Sequence, residues 1–382
     1  TTDARTDNSS YWNDTAPTSS VFTVGNSGDT NANGETYVAY IFAHNNDDGG
    51  FGEPGDQDII KCDTYTGNGS TQSISLGFEP QFIILKSASS SSNWVMFDNM
   101  RGVVTSSSAA DDKYLFPNSD TSEGGGIPMN FTATGFDLAN EDTSNKSGDT
   151  FIYMAIRRGS LFPPTDATKV FAPFSTTITA KPQNFTTGFP VDFVWTRQQN
   201  GADSNPGFVQ RITNTRLVPD STAAENTTPF VAFDFNDKVT SNYFNTGFGS
   251  IQSMSAFRRA PGFFDCVCYS GTGSARTVPH GLQKVPEMMW VKRRDATGFW
   301  SVYHKDVGAT KALLLHDTSA EFSSTVFNNT APTSSVFSVD STNRVNASGG
   351  TFIAYLFATV DGVSKVGSFS PTGSTLNVDC GF

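Results

Sequence analysis

Apolar residues along this chain fall in short runs, roughly four to eight residues long and stopped by Gly, Pro, Asn or Ser, which is the spacing of β-strands. Ile83-Ile84-Leu85 and Phe193-Val194-Trp195 have no polar alternate, which predicts strands covered on both faces. Val21-Phe22-Thr23-Val24 and Val336-Phe337-Ser338-Val339 predict short strands after a Pro turn. Lys311 to His316 fits one helical turn or a strand and is read as strand.

The pattern repeats. Asn13-Asp14-Thr15-Ala16-Pro17-Thr18-Ser19-Ser20-Val21-Phe22 returns as Asn328-Asn329-Thr330-Ala331-Pro332-Thr333-Ser334-Ser335-Val336-Phe337. Thr36-Tyr37-Val38-Ala39-Tyr40-Ile41-Phe42-Ala43 returns as Thr351-Phe352-Ile353-Ala354-Tyr355-Leu356-Phe357-Ala358, and both offsets are 315 residues, or three units of 105. Intermediate copies support the period. Ser147 to Ala155 is the same closing strand, and Gly67-Asn68-Gly69-Ser70 matches Gly271-Thr272-Gly273-Ser274 and Pro371-Thr372-Gly373-Ser374. The predicted organisation is a closing half-repeat over 1–46, a complete repeat over 58–160, a diverged complete repeat over 164–260, a complete repeat over 263–362 and an opening strand over 363–382. Each complete unit is of domain size, with about seven or eight short strands, which predicts an all-β tandem array of jelly-roll-like β-sandwiches with little or no helix. A barrel of the same strands is the alternative. The partial units at the two ends are expected to be completed by further chain, a neighbouring copy or each other, with a longer chain or a head-to-tail filament the favoured outcomes.

Composition agrees with this architecture. Charged residues make up only 16% of the chain, so Ser, Thr, Asn and Gly carry the polar surface, and Phe, with 33 copies, is the main core-filler. The net charge of −12 argues against nucleic acid or an anionic membrane as partner. No apolar run reaches the length of a membrane-spanning helix.

The repeat unit runs Gly77-Phe78-Glu79-Pro80-Gln81-Phe82-Ile83-Ile84-Leu85-Lys86, then Trp94-Val95-Met96-Phe97-Asp98, then the Ala-Pro-Thr-Ser-Ser-Val-Phe turn, then the closing strand. This unit resembles a repeat domain of uncharacterised function found in tail-fibre-like and other virion structural proteins of marine bacteriophages, cyanophages among them. The resemblance covers nearly the whole chain and is weakest over 164–260. It implies a virion or other extracellular structural protein, with other virion or fibre subunits as partners and a homo-oligomer or head-to-tail assembly. It brings no catalytic motif. Similar domains sit beside lectin-like modules, which by association implies host-surface glycan as a further partner.

Candidate chemistry is sparse, and no catalytic, cofactor or metal residue is assigned. His44, His280, His304 and His316 recur in no second repeat, as a shared Ser/His/Asp or Cys/His site would require. Cys62, Cys266, Cys268 and Cys380 lack the paired spacing of a zinc site and are expected to be buried free thiols. The acidic pairs Asp47-Asp48, Asp111-Asp112 and Glu141-Asp142 are read as loop solvation, with calcium possible in the Gly/Asp-rich stretch from Asp47 to Asp58. Gly124-Gly125-Gly126 is turn material, without the Lys-Ser/Thr of a phosphate loop. Asn130, Asn184, Asn226 and Asn346 head Asn-x-Ser/Thr triplets attributed to chance. Trp12, Trp94, Trp195, Trp290 and Trp300 are read mostly as core. Arg157-Arg158, Arg258-Arg259 and Arg293-Arg294 are expected to join neighbouring repeats through exposed ion pairs, each contributing about 0–1 kcal/mol. The functional expectation is a non-enzymatic structural component of a phage tail fibre or similar appendage that serves host attachment. Alternatives are a capsid-decorating or filament-forming protein, and a glycan-binding adhesin or polysaccharide depolymerase.

Overall fold

The computed structural model describes residues 3–5, 7–44, 58–101, 103, 112–159, 162–177, 183–199, 206–226, 231–233, 238–241 and 251–382. Three main sheets are present, each antiparallel and each built in the same order. In the first complete repeat, the opening strand Ile60–Thr66 lies beside the closing strand Thr150–Arg157, then the core strand Pro80–Ser87, then Val95–Asp98. In the second, the order is Phe171–Thr177, Ile251–Phe257, Phe193–Gln198, Gly207–Gln210 and Thr215–Leu217. In the third it is Phe264–Ser270, Thr351–Phe357, Met288–Arg293, Trp300–His304, Lys311–Leu314 and Phe322–Ser323. Lys311–Leu314 is therefore the strand that its sequence suggested.

A second, smaller sheet closes each sandwich. It contains Gln72–Ser75, Gly135–Leu138 and Met129–Thr132 in the first repeat, and Gln183–Thr186, Lys238–Ser241 and Val231–Phe233 in the second. In the third it is the pair Arg276–Pro279 and Val336–Val339. Strand alternation selects what goes between the sheets. Phe151, Tyr153 and Ala155 point inward from the first closing strand and meet Ile83, Leu85, Phe97 and Phe136. Their neighbours Ile152, Met154 and Ile156 point outward. The architecture is an array of β-sandwiches without barrel closure. Helix is confined to single turns such as Ser9–Trp12, Gly28–Asn31 and Asp142–Asn145.

The complete repeats do not stand apart as independent domains. The second and third repeats share a core, formed where the outward faces of their main sheets meet. Phe193, Phe208 and Leu217 from the second pack with Phe264, Trp300, Ile353 and Tyr355 from the third. Ring centroids of Phe193 and Tyr355 lie 5.1 Å apart, and Phe208 stacks on Trp290 at 5.6 Å. Two polar tips are satisfied across the seam: the Tyr355 hydroxyl donates to Gln210 Oε1 at 2.7 Å, and Trp300 Nε1 donates to the carbonyls of Val218 and Ser221, each at 3.1 Å. Each large apolar side chain removed from water here contributes about 1.5–3 kcal/mol. The main sheets of the second and third repeats carry apolar residues on both faces, so one face closes the sandwich and the other closes on its neighbour.

Two expectations are corrected. Residues 21–24 and 36–43 are not strands and lie outside any sheet, and residues 363–382 likewise form no ladder. Val38, Tyr40 and Ile41 are 79%, 83% and 74% exposed. Their equivalents in the third repeat are laddered: Val336–Val339 on Arg276–Pro279 and Thr351–Phe357 on both Phe264–Ser270 and Met288–Arg293. A strand forms when a neighbour takes its backbone hydrogen bonds, so strand sequence alone does not make a sheet.

One device holds the first and the third complete sandwiches shut at one end. Asn145 Nδ2 donates to the Ser70 and Ala139 carbonyls, at 2.5 and 2.9 Å, while its Oδ1 accepts the Asn68 N–H. Asn346 does the same with the Ser274 and Asp340 carbonyls and the Thr272 N–H. Asn31 donates to the Gly25 carbonyl in the first, partial unit. The loop held this way passes so close that a Cβ on Gly271 would lie 2.0 Å from the Ala347 carbonyl oxygen.

Candidate functional site

A buried polar cluster lies where the three complete repeats meet. The ladders place Ile156 opposite Phe82, Phe257 opposite Phe193 and Phe357 opposite Met288, so Arg158, Arg259 and Thr359, each two residues past these paired positions, are equivalent. Arg259, from the second repeat, is 4% exposed and grips both of its neighbours. Its two terminal nitrogens donate to the Glu79 carboxylate of the first repeat at 2.7 and 2.5 Å. Its Nε donates to Asp265 Oδ1 of the third repeat at 2.7 Å. Arg158 adds its Nε 3.3 Å from Glu79 Oε2 and its Nη2 3.7 Å from Asp265 Oδ1. Asp265 also accepts the backbone N–H groups of Cys266 and Gly281, at 3.0 and 2.8 Å.

Two guanidiniums thus face two carboxylates in a buried cluster. Burial alone would raise the Asp265 carboxyl, but Arg259 and then Arg158 more than offset it and hold the group below the usual carboxylate range. Burial likewise works against charge on Arg259, and Asp265 and Glu79 overcome it, leaving its guanidinium more firmly protonated than usual. The expected exposed Arg pairs are therefore corrected at this position: sequence shows the charges, but their burial depends on three segments far apart in the chain. A second bridge crosses the seam between the second and third repeats, where Arg294 Nε lies 2.8 Å from Glu225. Arg293 turns outward to Asp295 at 2.9 Å.

The remaining candidates do not converge. His280 Nδ1 accepts the Leu282 N–H and its Nε2 donates to the Thr333 carbonyl at 3.2 Å. Burial lowers its pKa, so it is held as a neutral ring. The Trp300 N–H donates to His316 Nδ1, and the His316 ring stacks on Phe299. His304 Nδ1 lies 3.9 Å from Asp306, and His44 is exposed. Cys266 is buried and burial raises its thiol well above the usual range; Cys268 is pushed up to about 11, again by burial. Cys62 and Cys268 are half-buried and Cys380 is exposed, which corrects the expectation of four buried thiols. Trp300 is buried and Trp94 and Trp290 are half-buried, but Trp12 and Trp195 are 56% and 43% exposed. Asp112 is buried and accepts the Met129 N–H, and Glu141 caps the turn Asp142–Asn145. Asp47-Asp48, Asp111 and the stretch 47–57 considered for calcium lie outside the described residues. Among the described residues no group of three His, Cys, Asp or Glu side chains is placed to hold a metal, and no helix is long and apolar enough to cross a membrane.

A polar groove of about 460 Å³ runs between the first and third repeats, lined by Asn130, Thr132, Asp137, Tyr269, Thr272 and Arg276. Asp137 accepts the Ser73 hydroxyl at 2.6 Å, and Arg276 lies over the Tyr269 ring at 5.6 Å. The Asn clamps, buried at Asn145 and Asn346 and exposed at Asn31, are not part of the sequence reading, although a signal is there. Asn31, Asn145 and Asn346 each stand seven residues after Val24, Leu138 and Val339, the equivalent positions that end the preceding apolar segment. For Asn346 the clamp also supplies a reason for the residue that chance had been given.

These features define a tandem β-sandwich repeat protein whose units are joined by a shared aromatic core and buried ion pairs. The chain belongs to the family described as Domain of unknown function (DUF7483), whose model matches residues 1–158 and 168–382. A search of curated proteins finds no match to the chain.

Proposed function

We propose that this chain is a non-enzymatic structural component of a phage virion, a tail fibre or similar appendage that serves host attachment. The observation that carries this reading is the Arg259 cluster. It ties three successive repeats together through buried ion pairs, which suits an element that holds an array in line. The resemblance of the repeat unit to virion proteins supplies the setting. A capsid-decorating or filament-forming role outside a fibre uses the same property. The test is cryo-electron microscopy of purified particles with an antibody against residues 58–362. Label along an appendage supports a fibre and label over the capsid supports decoration. A chain found only in the host-cell fraction overturns both.

The polar groove favours glycan contact as a second reading. Hydroxyl, amide, carboxylate and guanidinium groups beside a tyrosine are the chemistry that recognises sugars. Binding on a glycan array that is lost in Asp137→Ala and Arg276→Ala variants supports it, and an array without signal removes it.

A further inference from the structure

The outward face of the first main sheet is equivalent to the two faces that form the shared core. Ladder register fixes the correspondence. Ile84 in the first repeat stands where Trp195 and Trp290 stand in the second and third, because each lies two residues past Phe82, Phe193 and Met288. By the same ladders Ile156 stands for Phe257 and Phe357, and Met154 for Ser255 and Tyr355. Ile152 stands for Ser253 and Ile353, and Cys62 for Cys266. In the third repeat this face is sealed: Cys266, Ile353 and Tyr355 are each 0% exposed under the second repeat. In the first repeat Cys62, Ile84, Met96, Met154 and Ile156 are half-buried, and Ile152 is 37% exposed.

We propose that this face of the first complete repeat docks a second copy of the chain, face to face, in the arrangement that the second and third repeats adopt within one chain. The internal pair shows that this surface is built to meet its own kind, since one and the same face of two repeats forms the seam. A two-fold related copy offers an identical face, which is the self-complementary contact of a closed dimer. The composition sets its strength. The internal seam is anchored by Phe193, Phe208, Trp300 and Tyr355, whereas the first face keeps aromatics at only two of these positions, Phe82 and Trp94, and carries Met96 and Met154 at the other two. Aromatic anchors dominate interface energetics, so the dimer is reversible and weaker than the internal pair.

Sedimentation velocity of the whole chain from about 1 to about 100 μM tests this, with midpoints in the micromolar range expected. A combined Ile152→Glu, Met154→Glu variant is expected to raise the midpoint about 100-fold or more, because two charges would be buried at the seam. Ile152→Thr, which keeps the strand, is expected to weaken the dimer about tenfold. Far-ultraviolet circular dichroism and the melting temperature stay unchanged in both. A chain that sediments as a monomer throughout overturns the proposal, as does a dimer indifferent to these substitutions. A dimer abolished instead by Tyr40→Glu also overturns it, by placing the contact on the exposed segment 36–42.

Discussion

The first complete repeat and the third have the same sheet order and the same clamp, yet they treat their outward faces differently. The third buries Ile353 and Tyr355 under the second repeat, whereas the first leaves Ile152 open to solvent. The first repeat instead joins the others through charge, with Glu79 and Arg158 set against Arg259 and Asp265. One fold thus supports two kinds of joint. An apolar joint stabilises both partners, because each would otherwise expose its aromatics. An ionic joint stabilises only when complete, because each buried charge is costly without its partner.

The largest effect is expected in the apolar joint. Tyr355→Ala should cost about 3–5 kcal/mol, by urea denaturation followed through tryptophan fluorescence. The second and third repeats should still unfold in one transition, and two separate transitions would break the comparison. Next comes the ionic joint. Arg259→Met should cost about 3 kcal/mol, since Glu79 and Asp265 are then left with Arg158 alone. Here the first repeat should come apart from the pair, which hydrogen exchange would show as lost protection confined to residues 58–159.

Acid sharpens the same contrast. The Asp265 carboxyl titrates lower in the folded chain than in the unfolded one, so its contribution is fully present above about pH 4 and is lost as pH falls further. The melting temperature should drop over that window, and less steeply in Arg259→Met, where the depression is relieved. His280 acts at higher pH. Its folded pKa is lowered, so the unfolded chain binds the extra proton first, and stability declines as pH falls below about 6.5. The ladders place Leu76 at the equivalent position in the first repeat, one residue past Ser75 and Pro279. His280→Leu should therefore lessen the fall of the melting temperature between pH 7 and pH 5, read by differential scanning calorimetry, with a remainder from His316, whose pKa burial also lowers. The smallest effect belongs to the open face: Ile152→Ser should change monomer stability by no more than about 0.5 kcal/mol.

Much of this fold was legible in residue order. Gly and Pro punctuation with alternating apolar positions gives the strands, and the repeated Thr-Ala-Pro-Thr-Ser-Ser-Val-Phe turn gives the array. The shared core had a visible trace in Phe193-Val194-Trp195, apolar on both sides of a strand, but which neighbour covers the second side depends on how repeats turn against each other. Arg158 and Arg259 were visible as repeated charges, and their burial was not, because Glu79, Arg259 and Asp265 are brought together only by the packing of three units. Residues 36–43 show the opposite limit, since strand propensity was present and ladder partners were not.

In every complete repeat the first strand is laddered to the last, Ile60 to Ile156 and Phe264 to Phe357. During synthesis a repeat therefore cannot close until its final strand has left the ribosome, and pairings this distant in sequence form slowly. Each unit waits as a nearly finished sheet with an open slot beside its core strand, and fills it with the last residues made. The same arrangement brings the two ends of a unit side by side. Duplicating or deleting a whole repeat then changes the length of the array without cutting a sheet, so gene length can tune the reach of the protein in steps of one repeat.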